Sequence, residues 1–204
     1  MKAIRLHARG GPESLRFEDA PAPRPGPGEV LVRVRAAAVT PTELLWVPTW
    51  ATRDGGPRPL PVIPGHEFSG EVAAFGEGVT AVGVGEPVYG INDWFGDGAQ
   101  AEYCLARAAD VARKPASVDH AHAAVTPISA LTAWQGLFER ARIAAGQHVL
   151  IHGAAGGVGV FAVQLARRRG ARVTATAGAG NLDFVRGLGA DEVIVGRRPG
   201  AAIP

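Results

Sequence analysis

The residues with the clearest chemistry lie in the stretch 148–170, HVLIHGAAGGVGVFAVQLARRRG. Four glycines fall close together there, at Gly153, Gly156, Gly157 and Gly159. Glycine leaves the backbone open to a close ligand, and the first turn of a helix offers free N–H groups at the positive end of its dipole. We therefore expect this loop to bind the pyrophosphate of a dinucleotide. The other loop residues expected to bind the cofactor are Ala154, Ala155 and Val158.

The segments around this loop predict alternating strands and helices. Residues 149–151 form a short apolar strand of the buried parallel type, and an apolar helix face follows. That face comprises Val158, Phe161, Ala162, Leu165 and Ala166. A strand at 172–177, a helix at 182–188 and a strand at 192–195 complete a βαβαβ half of a Rossmann fold. Because glycines also make ordinary turns, a structural strand-to-helix turn is the alternative interpretation.

The end of the second strand bears on the choice between NAD and NADP. An acidic residue about 20 positions after the glycines would bind the ribose 2′-hydroxyl of NAD. Thr176, Gly178 and Asn181 occupy this region instead, and the first carboxylate after them, Asp183, belongs to the next helix. The missing acid favours NADP(H), with these three residues at the cofactor.

A positive partner for a 2′-phosphate is less evident. No Arg or Lys lies between Arg172 and Arg186. Either of these two could reach the phosphate, or both could be ordinary solvated surface charges.

Composition describes a soluble globular chain of 204 residues, 47% hydrophobic and 20% charged, with a formal charge of +2. No basic tract suggests nucleic acid, because Arg167–Arg169 close a helix, where cations suit the negative end. No run approaches the roughly 20 apolar residues of a membrane span. The polar N-terminus is unlike a signal peptide, which predicts a cytoplasmic protein. One cysteine, Cys104, excludes an internal disulfide and a multi-cysteine zinc site.

The first half of the chain predicts short strands separated by Gly and Pro, and these form an irregular barrel. The strands are expected at 2–7, 15–18, 30–36, 68–75, 87–89, 101–106 and 111–113, with one short helix at 40–46. From Val118 the chain becomes rich in alanine at helical spacing, which predicts a linker of two helices, the second ending near Ile143.

Several motifs together resemble the medium-chain dehydrogenase/reductase superfamily. They are PGHEFSGEV at 64–72, LTAWQGL at 131–137, GAAGGVG at 153–159 and LGADEVI at 188–194. The likeness is greatest to the zinc-free quinone oxidoreductase, or zeta-crystallin-like, branch. It implies an α/β protein with a GroES-like β-barrel domain at 1–117, a helical linker at 118–146 and a partial Rossmann domain at 147–204.

The resemblance also indicates which positions would hold a catalytic zinc ion. Alcohol dehydrogenases of this superfamily bind zinc through a Cys, the His of the GHE segment and a third ligand before the linker helix. Here Thr40 occupies the Cys position, and 125–128 offers no ligand. His66 and Glu67 remain, which is too few for a catalytic zinc site. We expect no metal and a His66 that is hydrogen-bonded inside the barrel; a zinc-dependent alcohol dehydrogenase is a further alternative.

Without a metal, the resemblance implies hydride transfer from NADPH to an electron-poor acceptor, a quinone or an α,β-unsaturated carbonyl. Thr40 is the candidate catalytic residue, as a hydrogen-bond donor to the acceptor oxygen. Alternatively, it caps a helix ahead of Pro41. Thr132 matches a position near the nicotinamide, although a helical Thr also bonds to its own backbone. Four aromatic residues either stack on a flat substrate or plug the barrel: Trp46, Trp50, Trp94 and Phe95.

Members of the superfamily continue well beyond the third strand of this nucleotide half. We therefore expect a truncated product or fragment that binds NADPH weakly or not at all, with the third strand an exposed edge. The alternative function is a non-catalytic remnant or interaction module. A homodimer is left open.

Overall fold

A computed structural model describes residues 1–40 and 42–196. Pro41, expected in the first turn of a helix, and the segment 197–204 lie outside the described residues. Contacts along the chain divide it into two compact units, and the division falls between Pro127 and Ile128. No helix among the described residues has both the length and the apolar character needed to cross a bilayer.

The first unit is built from antiparallel strands, and every strand predicted for it forms. Strands β3, β4, β5, β6 and β7 form one sheet in the order β6-β3-β4-β5-β7, while β1 and β2 form a hairpin. The bounds are β1 Lys2–Leu6, β2 Leu15–Asp19, β3 Glu29–Ala37, β4 Glu67–Phe75, β5 Pro87–Ile91, β6 Tyr103–Arg107 and β7 Val111–Arg113. Alternate residues of the sheet, including Val30, Val32, Phe68, Val72 and Val88, are fully buried and form the core.

The expected single helix at 40–46 is wrong. The chain forms a 3₁₀ turn at Glu43–Leu45 and a short helix α1 at Val47–Trp50, with extended backbone at Trp46 between them. Pro48 explains the break, because proline lacks an N–H and belongs in the first turn of a helix. The alternative role of Thr40 as a helix cap is also wrong, since Thr42 precedes the 3₁₀ turn and makes no side-chain cap bond.

The expected linker helices are shorter than predicted. Helix α2 spans His120–Ala124, and Asp119 caps it by accepting a 2.8 Å bond from the His122 N–H. Helix α3 spans Pro127–Trp134 and passes into a π-helical turn at Gln135–Arg140, so the expected end near Ile143 is a few residues too late. Such a turn is rare and has no simple sequence signal.

The second unit contains the predicted βαβαβ order. Its three parallel strands lie in the order β10-β9-β8. The bounds are β8 His148–Ile151, α4 Gly157–Arg168, β9 Arg172–Ala177, α5 Leu182–Gly187 and β10 Glu192–Val195. Strands β9 and β10 have the predicted bounds. On α4 the buried side is centred on Gly159, Ala162, Val163 and Ala166, while Val158 is 40% exposed rather than part of it.

The two helices of this unit cover one face of the sheet. Two successive right-handed crossovers in the same direction place α4 and α5 on one side, over Ile151, Val173 and Ala175. On the other face Leu150 is 56% exposed and Ile194 is 46% exposed. The prediction of a buried strand is therefore wrong for Leu150, because burial of a parallel strand requires layers on both faces. Among the described residues, β8 is an edge of the sheet as much as β10.

Helix α4 begins very close to the loop that precedes it, and Gly159 permits this approach. A Cβ atom at Gly159 would lie 2.4 Å from the Gly153 carbonyl oxygen and 2.7 Å from the Ala154 Cα. Gly153 itself has a φ of 64°, in the left-handed region that favours glycine. The glycines at these two positions fix the path of the loop.

We predict that Gly159→Ala lowers the free energy of unfolding by about 1–3 kcal/mol, because backbone atoms must move apart. Urea denaturation would measure the change. Gly187→Ala in α5 is the matched control: nothing lies within 4 Å of its Cβ position, and alanine there should be neutral or stabilising by roughly 0.5–1 kcal/mol. Equal effects of the two substitutions would contradict the steric explanation.

Candidate functional site

The glycine loop between β8 and α4 is held against the neighbouring strand β9. The Ala154 N–H donates to the Thr176 carbonyl at 2.9 Å, and the Gly153 N–H donates to the Thr176 hydroxyl at 3.2 Å. Gly156 is extended and precedes α4 without a side-chain cap. Thr176, which the sequence predicted to lie at the cofactor, thus holds the loop against β9.

The amides at the start of α4 point away from any protein acceptor. Within the described part of the chain, no hydrogen bond is made by the N–H groups of Ala155, Gly157, Val158 or Gly159. The helix is twelve residues long, so its dipole is developed at this end. A Cβ at Gly153 would meet no atom within 4 Å, which leaves the loop accessible. The donor set and the open backbone fit a dinucleotide pyrophosphate.

The end of β9 is uncharged. Gly178 and Asn181 are exposed and begin and end a tight turn, in which the Asn181 N–H donates to the Gly178 carbonyl at 2.9 Å. The next carboxylate, Asp183, is paired with Arg186 at 2.6 Å. A ribose hydroxyl would therefore meet no acidic partner at the strand end.

The two arginines considered for a 2′-phosphate are placed differently. Arg172 begins β9, about 16 Å along the strand from its carboxyl end, so this candidate is wrong. Arg186 lies in the last turn of α5 with its guanidinium on Asp183.

Thr132 lies exposed on α3. Its hydroxyl donates to the Ile128 carbonyl at 2.7 Å, four residues earlier. The backbone bond considered from the sequence is therefore present, and the role of Thr132 near a nicotinamide stays a prediction.

A second cluster lies in the first unit around His66. Its side chain is 2% exposed, and Nε2 lies 3.6 Å from Glu43 Oε1, which is too long for a hydrogen bond. Within the described residues Nδ1 has no partner, so the expected hydrogen-bonded histidine is wrong. The Trp94 ring lies 5.3 Å from the imidazole and makes an edge-on contact with Trp46 at 5.5 Å. Two of the four predicted aromatic residues thus contact each other, and one of them, Trp94, contacts His66.

Burial sets the charge states of this cluster. Desolvation lowers the pKa of His66 to about 4, with a smaller contribution from the nearby Arg58 cation. Desolvation raises the pKa of Glu43, against the opposing effect of the 2.7 Å bond that its Oε1 accepts from the Gly65 N–H. Near neutral pH the imidazole is therefore uncharged.

The other two predicted aromatic residues have cationic neighbours. Trp50 donates its indole N–H to the Leu44 carbonyl at 2.7 Å, and the Arg9 guanidinium lies 5.3 Å from its ring. The Arg53 guanidinium lies 4.9 Å from the Phe95 ring and pairs with Asp93 at 2.7 Å. Trp50 and Phe95 contact arginines, while Trp46 and Trp94 contact each other.

The positions that hold the catalytic zinc in alcohol dehydrogenases carry no metal-binding cluster among the described residues. Thr40 is half-buried, and its carbonyl accepts from the Glu43 N–H at 2.9 Å, which places the start of this turn beside Glu43. The described residues contain no group of three or more His, Cys, Asp or Glu side chains placed to hold a metal ion.

Comparison with known proteins agrees with this geometry. Residues 26–116 match the model of the alcohol dehydrogenase GroES-like domain. A "Quinone-oxidoreductase homolog, chloroplastic" of Spinacia oleracea is 38% identical over 203 residues, covering 95% of this chain and 60% of the relative. A quinone oxidoreductase from Coxiella burnetii superposes with a TM-score of 0.84 and 33% identity, over 95% of this chain and 62% of that one. The chain belongs to the medium-chain dehydrogenase/reductase superfamily.

The comparisons confirm the expected fold class, a GroES-like domain with a partial Rossmann sheet, and they identify an oxidoreductase family. Another solved member, a mycobacterial protein in complex with NADPH, has a TM-score of 0.82 and 36% identity, covering 96% of this chain and 58% of that one. The chain spans about 60% of the length of these superfamily members. The cytoplasmic location stays a prediction, because the Spinacia relative is named chloroplastic.

Sequence reasoning missed two buried charged residues of this superfamily member. Glu43 directly precedes the apolar run Leu44–Trp46 in the sequence TELLW, and it is buried. This apolar run was a usable signal for a buried carboxylate. Arg58 lies in a loop rich in Gly and Pro, which gave no signal. The Arg58 side chain is 8% exposed. Its guanidinium donates to the Pro48 carbonyl at 3.0 Å and to the Gly96 carbonyl. These two bonds connect helix α1 to the loop that follows Trp94.

We predict that Arg58→Met lowers the free energy of unfolding by roughly 1–3 kcal/mol, because two partly buried carbonyls lose their hydrogen-bond donor. Arg53→Gln is the control, since Arg53 is 69% exposed and its pair with Asp93 should contribute about 1 kcal/mol or less. Thermal and urea denaturation of both variants would measure the difference. A larger loss of unfolding free energy from Arg53→Gln than from Arg58→Met would contradict this structural role of Arg58.

We also predict a pH dependence that comes from His66. Its pKa is about 4 in the folded chain and near 6.5 when unfolded, so only the unfolded chain gains this proton between those values. Stability should therefore fall as the pH drops from about 6.5 to 4, by up to roughly 3 kcal/mol. His66→Gln should remove this part of the loss in denaturation experiments across the range. Identical pH profiles of wild type and variant would rule it out.

Proposed function

We propose that the chain carries the cofactor and acceptor sites of an NADPH-dependent, zinc-independent oxidoreductase that reduces a quinone or an α,β-unsaturated carbonyl. The observation that carries this proposal is the set of unpaired amides at the start of α4 beside an uncharged end of β9. The names of two relatives support the acceptor class: the quinone oxidoreductase homolog of Spinacia and a 2-methylene-furan-3-one reductase of Solanum lycopersicum, 38% identical over 144 residues.

NADPH is the proposed cofactor, and a bound nicotinamide would supply the hydride. The loop 153–159 would hold the pyrophosphate through its amides, and Gly178 and Asn181 would lie at the adenosine ribose. Because no carboxylate stands at this strand end, a 2′-phosphate would meet no repulsion. The NADPH complex of the mycobacterial neighbour supports this choice.

The acceptor would bind at Trp46 and Trp94, where two indole rings offer apolar surface beside the uncharged His66. Thr40 would donate a hydrogen bond to the acceptor oxygen and stabilise the negative charge that develops there. Among the described residues the Thr40 hydroxyl makes no hydrogen bond, and Thr42 rather than Thr40 precedes the 3₁₀ turn. Trp50 and Phe95 would border this surface, with Thr132 near the nicotinamide.

The zinc-independent part of the proposal rests on donor chemistry. A catalytic zinc needs three protein ligands, and Thr40 and 125–128 supply none at the corresponding positions. A zinc-dependent alcohol dehydrogenase would require one equivalent of bound metal, which elemental analysis can measure.

We further propose that the chain is organised as a barrel at 1–117, a linker at 118–146 and a nucleotide half at 147–204, with a homodimer left open.

The second candidate function is a non-catalytic remnant or interaction module. The chain spans about 60% of the length of these relatives, so the activity of the whole relatives is itself a proposal for it. Oxidation of NADPH by a simple quinone discriminates between the two: the enzyme requires turnover and the remnant has none. In an active preparation Thr40→Val should lower kcat on the order of 100-fold, whereas Thr42→Val should leave it nearly unchanged.

The cofactor site can be tested separately from turnover. Val158 is 40% exposed in the first turn of α4, where a carboxylate stabilises the helix but repels a pyrophosphate. We predict that Val158→Asp weakens NADPH binding by about tenfold or more without lowering the Tm, measured by fluorescence titration and thermal denaturation.

Val158→Asn is the matched neutral control and should bind NADPH nearly as wild type does. Saturable NADPH binding that is equal in all three proteins would place the cofactor elsewhere and overturn the proposed site.

A further inference from the structure

A groove of about 490 Å³ opens in the second unit at the end of α4 that is farther from the glycine loop. It lies between the π-helical turn and the last residues of α4. Its walls combine apolar rings with positive charges, and they include Trp134, Phe138, Leu165, Arg142, Arg168 and Arg169. None of these residues belongs to the site proposed above.

The aromatic wall is ordered and accessible. The Trp134 and Phe138 rings meet edge to face with centroids 4.6 Å apart, which fixes the indole orientation. Trp134 is nevertheless 49% exposed. A half-exposed indole supported by a second ring offers a flat surface on which another ring can stack.

The cationic wall lacks counter-charges. Within the part of the chain that the structure describes, no carboxylate lies within 4 Å of the guanidinium of Arg142, Arg168 or Arg169. Among the described residues, the Arg169 guanidinium donates to the Ile143 carbonyl at 3.3 Å. The adjacent Arg167, by contrast, points to Asp191 and pairs with it at 2.8 Å. The groove therefore concentrates three guanidinium charges that have no carboxylate beside them among the described residues.

Arg142 has a backbone conformation that is unfavourable for a residue with a side chain. It has a φ of 50°, in the left-handed region, directly after the π-helical turn, where the Ile143 N–H donates back to the Leu137 carbonyl at 2.9 Å. Glycine is the residue favoured at such a helix end. An arginine in this conformation supplies a guanidinium to the groove at the expense of backbone stability.

We propose that this groove binds a small planar aromatic anion, a ring that stacks on Trp134 and carries a carboxylate, sulfonate or phosphate toward the three guanidinium groups. Guanidinium groups bind such anions by paired charge-assisted hydrogen bonds. The volume lies within the range of small-molecule sites, and seven lining residues are far fewer than the roughly 20–30 on each side of a protein interface.

The test uses calorimetric titration of the 204-residue chain with 2-naphthoate at low ionic strength. The neutral analogue 2-naphthylmethanol supplies the ring without the charge, and acetate supplies the charge without the ring. We expect saturable binding of naphthoate, binding of the alcohol weaker by about tenfold, and no measurable binding of acetate. Adenosine monophosphate, titrated in parallel, distinguishes a phosphate-bearing ring from a carboxylate-bearing one.

Substitutions locate the site. Arg142→Gly and Arg168→Gln should each raise the Kd of naphthoate about tenfold, whereas Arg140→Gln, which removes the same charge outside the groove, should change it less than about twofold. Arg142→Gly should also leave the Tm equal or higher, because glycine suits the backbone there. Val158→Asp should leave naphthoate binding unchanged, which separates the groove from the glycine loop.

Three results would overturn the proposal: no binding of any aromatic anion, equal binding of naphthoate and its alcohol, or naphthoate binding that survives both Arg142→Gly and Arg168→Gln. A lower Tm for Arg142→Gly would also count against it, since arginine would then serve the fold. If an acidic aromatic peptide binds and naphthoate does not, the occupant of the groove is a protein partner and the proposed small ligand is ruled out.

Discussion

The arrangement of the second unit depends on one close backbone contact, the approach of α4 at Gly159 to the carbonyl of Gly153. Because no side chain intervenes, α4 packs directly against the loop that follows β8. The amides in its first turn have no acceptor within the helix, and they are left for a ligand. Thr176 holds the loop from β9, so the sheet and the helix together determine where those amides point.

The first unit shows the opposite use of polar groups, since it withdraws them from water. His66, Glu43 and Arg58 are all nearly buried, although a buried charge is costly unless it is paired. Arg58 reduces its cost by donating to two carbonyls, while the histidine stays uncharged. One imidazole nitrogen still has no partner among the described residues. An unpartnered buried nitrogen of this kind is an exception, because most buried polar groups are hydrogen-bonded.

Much of this could be predicted from local sequence. Strands β9 and β10 and the glycine loop follow from side-chain periodicity and from the absence of Cβ atoms, both of which are local properties. The break before Pro48 needed only the missing proline N–H, and it was still overlooked. The placement of Arg58, the exposure of Leu150 and the partners of Arg186 depend on which distant residues pack nearby, which no short window contains. The pairing of Trp94 with Trp46, rather than with the neighbouring Phe95, is equally non-local.

The face of the parallel sheet that carries Leu150 and Ile194 is exposed, which favours association between molecules at high protein concentration. An open strand edge beside bare Leu150 and Ile194 is a template on which another polypeptide can deposit. Between these two residues, however, His148 contacts the Thr174 hydroxyl at 2.8 Å, and Glu192 accepts from the same hydroxyl at 3.3 Å. These polar side chains interrupt the apolar surface and disfavour aggregation.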